Sequence, residues 1–171
     1  VRTVLDDGGH PSGTVGVLYL ELSRAVLRSL GTTVFGVRFL SAAGGVLSLL
    51  TAMWLGRALL PRGGGALAGL VLAGLRWHLI LSRWTWVLLF VVPILDLATL
   101  AVLRARRRSS ADSAALAGAI AGIGAHVYLS AWVSTSALGL VLLWPGEALR
   151  SRVRLAAWFS LAFAIVVLPL F

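Results

Sequence analysis

Cysteine is absent from the 171 residues, and so is lysine. Without thiols there is neither a disulfide framework nor a thiolate metal site, although that lack does not by itself name a compartment. Without lysine, all fifteen positive charges are arginines. Charge is scarce altogether: 12% of the residues are charged and only six are acidic. A soluble domain carries about twice that fraction. Apolar residues fill the space, at 59% of the chain and a mean hydropathy of +0.96. Too little polar surface remains to face water, so the chain reads as a bilayer protein. Its net charge of +9 and pI near 11.8 would ordinarily suggest nucleic acid. Here the arginines sit in short segments between apolar runs, which is how orientation signals are placed, and nucleic acid is excluded as a partner. No apolar stretch precedes Pro11, so the N-terminus is not a signal peptide; Val1 in place of Met predicts a truncated chain or a non-standard start.

Residues 1–13 are polar and punctuated by Gly and Pro, and read as a loop. Residues 14–30 read as an amphipathic helix. Glu21, Arg24 and Arg28 share one face, and Val15, Tyr19, Leu22, Val26 and Leu30 share the other. Beyond them come apolar runs at residues 34–60, 65–82, 84–103 and 155–171, and an uncharged stretch at 113–146. The first run alone is about 40 Å long as a helix, more than the ~30 Å hydrocarbon core. Its Gly44–Gly45 pair predicts close helix contact. The stretch at 113–146 is too long for one crossing and is divided near residues 126–130.

Orientation supports that division. The arginines cluster at Arg57 and Arg62, at Arg104 with Arg106 to Arg108, and at Arg150, Arg152 and Arg154. If all three clusters face the cytoplasm, two crossings must separate each pair. Trp77, Trp84, Trp86 and Trp132 then fall at outer ends, and Trp54, Trp144 and Trp158 at or near inner ones, as an interfacial belt requires. The expected fold is all-α: a polytopic transmembrane helical bundle of about six spans, with an outer-face amphipathic juxtamembrane helix. Residues 1–33 form the extracytoplasmic part and 34–171 the transmembrane part.

The outer side collects the unusual residues. Asp6 and Asp7 offer a general base or a metal ligand, or simply an Asx-type turn before Gly8–Gly9. His10 lies beside them, before Pro11. Arg38 opens the first span, where it either holds an anion or snorkels. Arg76 and Arg83 flank a Trp-rich segment, where two guanidiniums suit a phosphate headgroup or serve as anchors. His126 and Tyr128 occupy the outer turn of the divided stretch. Asp96 lies within a span; a mid-bilayer carboxylate costs ~2.5–3.5 kcal/mol on insertion scales and must find a partner, stay protonated or line a cavity. The sequence has no metal-ligand spacing, P-loop, dinucleotide fingerprint or nucleophile–base constellation.

Several segments, taken in order, resemble one family. They are DDGGHP at 6–11, VFGVRFLSAAGGVLSLLTAMWLGRALL at 34–60, LRWHLILSRWTW at 75–86 and AGIGAHVYLSAW at 121–132. Their order and spacing are similar to the protein O-mannosyltransferase and aminoarabinose-transferase group of GT-C membrane glycosyltransferases, over nearly the whole chain to about residue 145. The resemblance implies transfer of a sugar from a polyprenyl-phosphate carrier to an extracytoplasmic acceptor, in bacteria at the inner membrane. It implies that Arg38, Arg76, Ser82 and Arg83 hold the lipid phosphate, that His10, His126 and Tyr128 line the substrate cavity, and that Asp6 or Asp7 is the remaining loop carboxylate. No cofactor is evident, although a divalent metal would be compatible. Two departures stand out. The family's acidic catalytic motif and first span lie upstream of the G-H-P segment and are absent here, so the chain is expected to be a fragment. Trp132 also stands where relatives carry Arg. The alternative from the residues alone is a non-enzymatic small transporter or membrane assembly subunit, with Asp96 in an intramembrane polar pathway.

Overall fold

A computed structural model describes residues 17–84, 87–128, 130–145 and 148–170. Among them the protein is all-α: α1 (Val17–Leu30), α2 (Val34–Leu59), α3 (Gly64–Gly74), α4 (Arg76–Arg83), α5 (Leu88–Arg108), α6 (Ala111–Ala125), α7 (Ser130–Leu143) and α8 (Leu149–Val167), closed by a 3₁₀ turn at Leu168–Leu170. The helix starts are written locally. Thr33 caps α2, its hydroxyl accepting from the Gly36 N–H at 3.1 Å, and Ser110 caps α6 by accepting from Ser113 N–H at 3.3 Å. Gly31, at φ +74°, turns the chain between α1 and α2. Ser109, at φ 48°, likewise ends α5 in the left-handed region.

Two of the helices, α2 and α6, are built inside out. The buried face of α2 is Gly36, Leu40, Ser41, Gly44, Gly45, Ser48, Thr51 and Gly56. Its outward residues include Phe35, Phe39, Val46, Leu47, Leu50 and Trp54, all exposed. α6 repeats the arrangement, burying Ala114, Ala117, Gly118, Ala121, Gly122 and Ala125 while Leu116 and Ile123 point outward. Water would reverse this pattern; hydrocarbon permits it, because helices in lipid gain by close backbone approach rather than by hiding leucine. The expected Gly44–Gly45 contact is present and serves two neighbours. A Cβ on Gly44 would meet Phe90 and the Leu89 carbonyl of α5, and one on Gly45 would lie 2.9 Å from Ser82 Cβ of α4.

Contacts fix the run directions. Gly44 meets Leu89, Thr51 meets Asp96 and Ala58 meets Arg107, so α2 and α5 run parallel. α3 and α4 return along α2, with Gly64 against Gly56, Gly69 against Met53, His78 against Ser48 and Ser82 against Gly45. Gly124 reaches Ile94, so α6 is antiparallel to α5; Phe159 lies against Gly118 and Val166 against Gly122, so α8 is parallel to α6. α7 returns alongside both. The chain thus traverses the bundle in six alternating passes.

Fewer of those passes are full spans than the sequence suggests. Among the described residues two helices, α2 and α5, can cross a membrane by length and composition, and three spans result if α3 and α4, bent by 65°, count as one. The expectation of about six is corrected accordingly. The uncharged stretch at 113–146 does divide, with α6 ending at Ala125 and α7 beginning at Ser130, but the division leaves 15 residues in α6 and 14 in α7. Each is about 21–22 Å long, short of the ~30 Å core. α8 has 19 residues, yet its first turns carry Arg150, Arg152 and Arg154. Arg104 to Arg108, read as a loop, form the last turns of α5, and Pro93 lies inside that helix without ending it. Two tryptophans also depart from the belt: Trp158 adjoins Phe159, level with the middle of α6, and Trp77 adjoins His78, level with the middle of α2.

Candidate functional site

The three arginine clusters meet at one end of the bundle, where arginines cap helix C-termini. Arg107 donates to the Ala58 carbonyl at 2.7 Å, closing α2. Arg106 donates to Val141 (3.0 Å), Trp144 (3.3 Å) and Pro145 (3.3 Å), and Arg152 to Leu143 (2.9 Å), closing α7. Arg154 donates to Ser109 at 3.0 Å, closing α5. A guanidinium is suited to capping, because its several N–H groups satisfy carbonyls that the helix leaves orphaned and its charge complements the negative helix end.

The opposite end gathers α1, the start of α2, the start of α5 and the α6–α7 turn. Tyr19, Leu40, Val87, Val91, Val127 and Ala131 are buried together, with Leu22, Val26 and Tyr128 packed against them. Tyr19 meets Phe90 edge-on at 6.3 Å. The Leu18 N–H donates to the His126 carbonyl at 3.3 Å, seating α1 on the α6–α7 turn. Tyr19, Leu22 and Val26 thus face inward as the sequence pattern foretells, whereas Leu30 is exposed and Val15 lies outside the described residues; Glu21 and Arg28 remain exposed, with Arg24 paired to Glu21. Burial pushes the Tyr19 phenol above its ordinary value, while the Ser41 and Ser23 hydroxyls beside it pull the other way.

The expected site residues divide between these regions. His126 and Tyr128 lie at the α1 end. His126 Nε2 is 2.7 Å from the Val166 carbonyl; a carbonyl only accepts, so Nε2 carries the proton and ties the end of α6 to the end of α8. Arg38 is exposed on the second turn of α2 and Arg83 on the last turn of α4, both toward this end. Ser82 faces Gly45, and its hydroxyl donates back to the Leu79 carbonyl at 2.9 Å. Arg76 sits apart, exposed at the α3–α4 bend and two residues before His78. Asp6, Asp7 and His10 lie outside the described residues.

A polar chain inside the bundle is the arrangement that sequence reasoning missed. The buried His78 presents Nε2 at 2.8 Å from Ser48 Oγ, which also donates to the Gly45 carbonyl at 2.8 Å. One turn on, Thr51 Oγ1 lies 2.8 Å from Asp96 Oδ2 and 3.2 Å from the Ser48 carbonyl. Ser48 and Thr51 therefore link α4, α2 and α5. The signal that would have found them is the spacing Ser41, Gly44, Gly45, Ser48, Thr51, a small and polar stripe along one helix face. No set of three or more potential metal ligands occurs among the described residues.

No protein-family model matches the sequence, and no curated protein or solved structure matches it.

Proposed function

We propose that the chain is the bundle portion of a membrane glycosyltransferase that takes a sugar from a polyprenyl-phosphate carrier, with its donor side at the end where α1 docks. The observation that carries this reading is the seating of α1 on the α6–α7 turn through the Leu18–His126 bond and the Tyr19 cluster. It sets a helix against the turn that bears His126 and Tyr128, at the end where Arg38 and Arg83 are exposed. The arginine-capped end would face the cytoplasm and the α1 end the outside of a bacterial plasma membrane, following the positive-inside rule. Arg38 and Arg83 would hold the departing lipid phosphate, since a guanidinium pairs with phosphate through parallel N–H bonds. Ser82, turned toward Gly45, would set the position of Arg83 rather than touch the phosphate. A two-residue offset along α4 from the buried His78 puts Arg76 farther from that end and makes it the weakest of the arginine assignments.

The test is photo-crosslinking of the protein in nanodiscs with a photoreactive polyprenyl-phosphate sugar. Saturable cross-links around residues 83 and 126–128 are expected, and Arg83→Ala should weaken capture about tenfold, the scale of one charged hydrogen bond. Cross-links confined to the arginine-capped end would overturn the proposal. A second reading, a non-enzymatic transport or assembly subunit, draws on the His78–Ser48 and Thr51–Asp96 contacts. It expects no saturable donor capture, and loss of function on Asp96→Asn.

A further inference from the structure

A groove of about 550 Å³ opens between α2, α5 and α6 near the arginine-capped end. Its walls are Trp54, Leu97, Leu100 and Leu116, and its mouth carries Arg104 and Asp112. Because α5 and α6 run antiparallel, Leu97 lies at the inner end and Arg104 and Asp112 come level at the outer. From Leu97 to Arg104 the groove is about 10 Å deep. Trp54 and Leu116 are exposed along it, as are both charged residues at its mouth.

The two mouth charges stand apart. The ion pair found among the described residues is Arg24–Glu21 on α1, and Arg104 and Asp112 make none with each other. Two opposite charges at one mouth that make no ion pair with each other, over an apolar slot at the interface, complement a head that itself bears both signs, above an acyl chain. We infer that this groove binds a glycerophospholipid with an ethanolamine head from the leaflet on the arginine-capped side. The phosphate sits on Arg104, the ammonium on Asp112 and one acyl chain lies against Leu97, Leu100 and Leu116. A purely anionic head would find Arg104 but face the Asp112 carboxylate. A free head would find both charges and forgo the apolar contact that supplies most of the affinity.

The experiment is native mass spectrometry of the full chain released from nanodiscs of equal phosphatidylethanolamine and phosphatidylglycerol content. The unmodified protein should retain phosphatidylethanolamine in preference. Leu116→Trp, which fills the slot from an exposed position, should abolish retention of both lipids. Arg104→Gln should weaken both about tenfold, the loss of one charged contact. Asp112→Asn should remove the preference by weakening phosphatidylethanolamine alone. Preferential retention of phosphatidylglycerol by the unmodified chain overturns the inference. So does undiminished retention in both Leu116→Trp and Arg104→Gln, or displacement of the lipid by an equal concentration of glycerophosphoethanolamine.

Discussion

Thr51 has one hydroxyl proton and two acceptors in reach, the Ser48 carbonyl at 3.2 Å and Asp96 Oδ2 at 2.8 Å. The shorter contact crosses from α2 to α5, and hydrocarbon offers no water to replace it. Thr51→Val keeps the shape and removes the hydroxyl; it should lower stability by about 1 kcal/mol, the measured scale of interhelical side-chain bonds in membranes. Thr51→Ser should keep most of it. Thermal unfolding in mild detergent separates the two, with a shift of about 2–4 °C for a chain of this size; equal midpoints for the Val and Ser variants would remove the bond from the account. His78 belongs to the same seam, since Nε2 reaches Ser48 while its Nδ1 is buried without a partner. The need of Asp96 for a partner was legible in the sequence, because a carboxylate within an apolar run cannot stay alone. The partner was not. Thr51 lies 45 residues away, and a threonine inside a helix carries no local mark of what it will face across the bundle.

Among the helices, glycine decides how near two backbones come. The tightest approach is α6 on α8, where a Cβ on Gly118 would lie 2.0 Å from the Phe159 carbonyl oxygen. That oxygen is backbone, so relief requires the helices to part. Gly118→Ala should therefore cost ~3 kcal/mol, the upper range for overpacking. Gly74 is the control, because a Cβ there meets nothing within 4 Å. Gly74→Ala should be neutral or stabilise by up to ~1 kcal/mol through helix propensity. Urea or detergent titration of both variants checks the pair, and equal destabilisation would contradict the packing. Helix existence was readable from apolar runs bounded by arginine, Gly and Pro, and so was the break at residues 126–129. Helix length was not. At the end of α5, Arg106 and Arg107 give their N–H groups to carbonyls at Ala58, Val141 and Trp144, and those acceptors come from segments distant in sequence.

At the scale of the molecule, three arginine clusters far apart in the chain come to one end, while α1 caps the other. The sequence foretold that separation through charge alone, and halving the 113–146 stretch already left two pieces short for a bilayer of ordinary thickness, as α6 and α7 are. Two topologies follow. In one, the bilayer thins around α6 and α7, or their flanking turns complete the crossing, and the α6–α7 turn faces the side opposite the arginines. In the other, the α6–α7 pair dips in from the arginine side and its turn ends within the bundle. The first requires mismatch to be absorbed at a fraction of a kcal/mol per Å, over a deficit of about 8 Å. It leaves His126, Tyr128 and α1 at a water-facing surface. The second would bury α1, whose exposed Glu21 and Arg28 then lie in hydrocarbon at several kcal/mol. The first topology is therefore expected, and the cysteine-free chain is a ready background for testing it. Single cysteines at the exposed positions Arg62, Arg108, Thr32 and Ser130 can be treated with a membrane-impermeant maleimide from each side in turn. Arg62→Cys and Arg108→Cys should react from one side only, and Thr32→Cys and Ser130→Cys from the other only. If Ser130→Cys stays unreactive from both sides while Thr32→Cys reacts opposite to Arg108→Cys, the α6–α7 pair is re-entrant and His126 leaves the donor side. If Thr32→Cys and Arg108→Cys react from the same side, the sidedness argument itself fails.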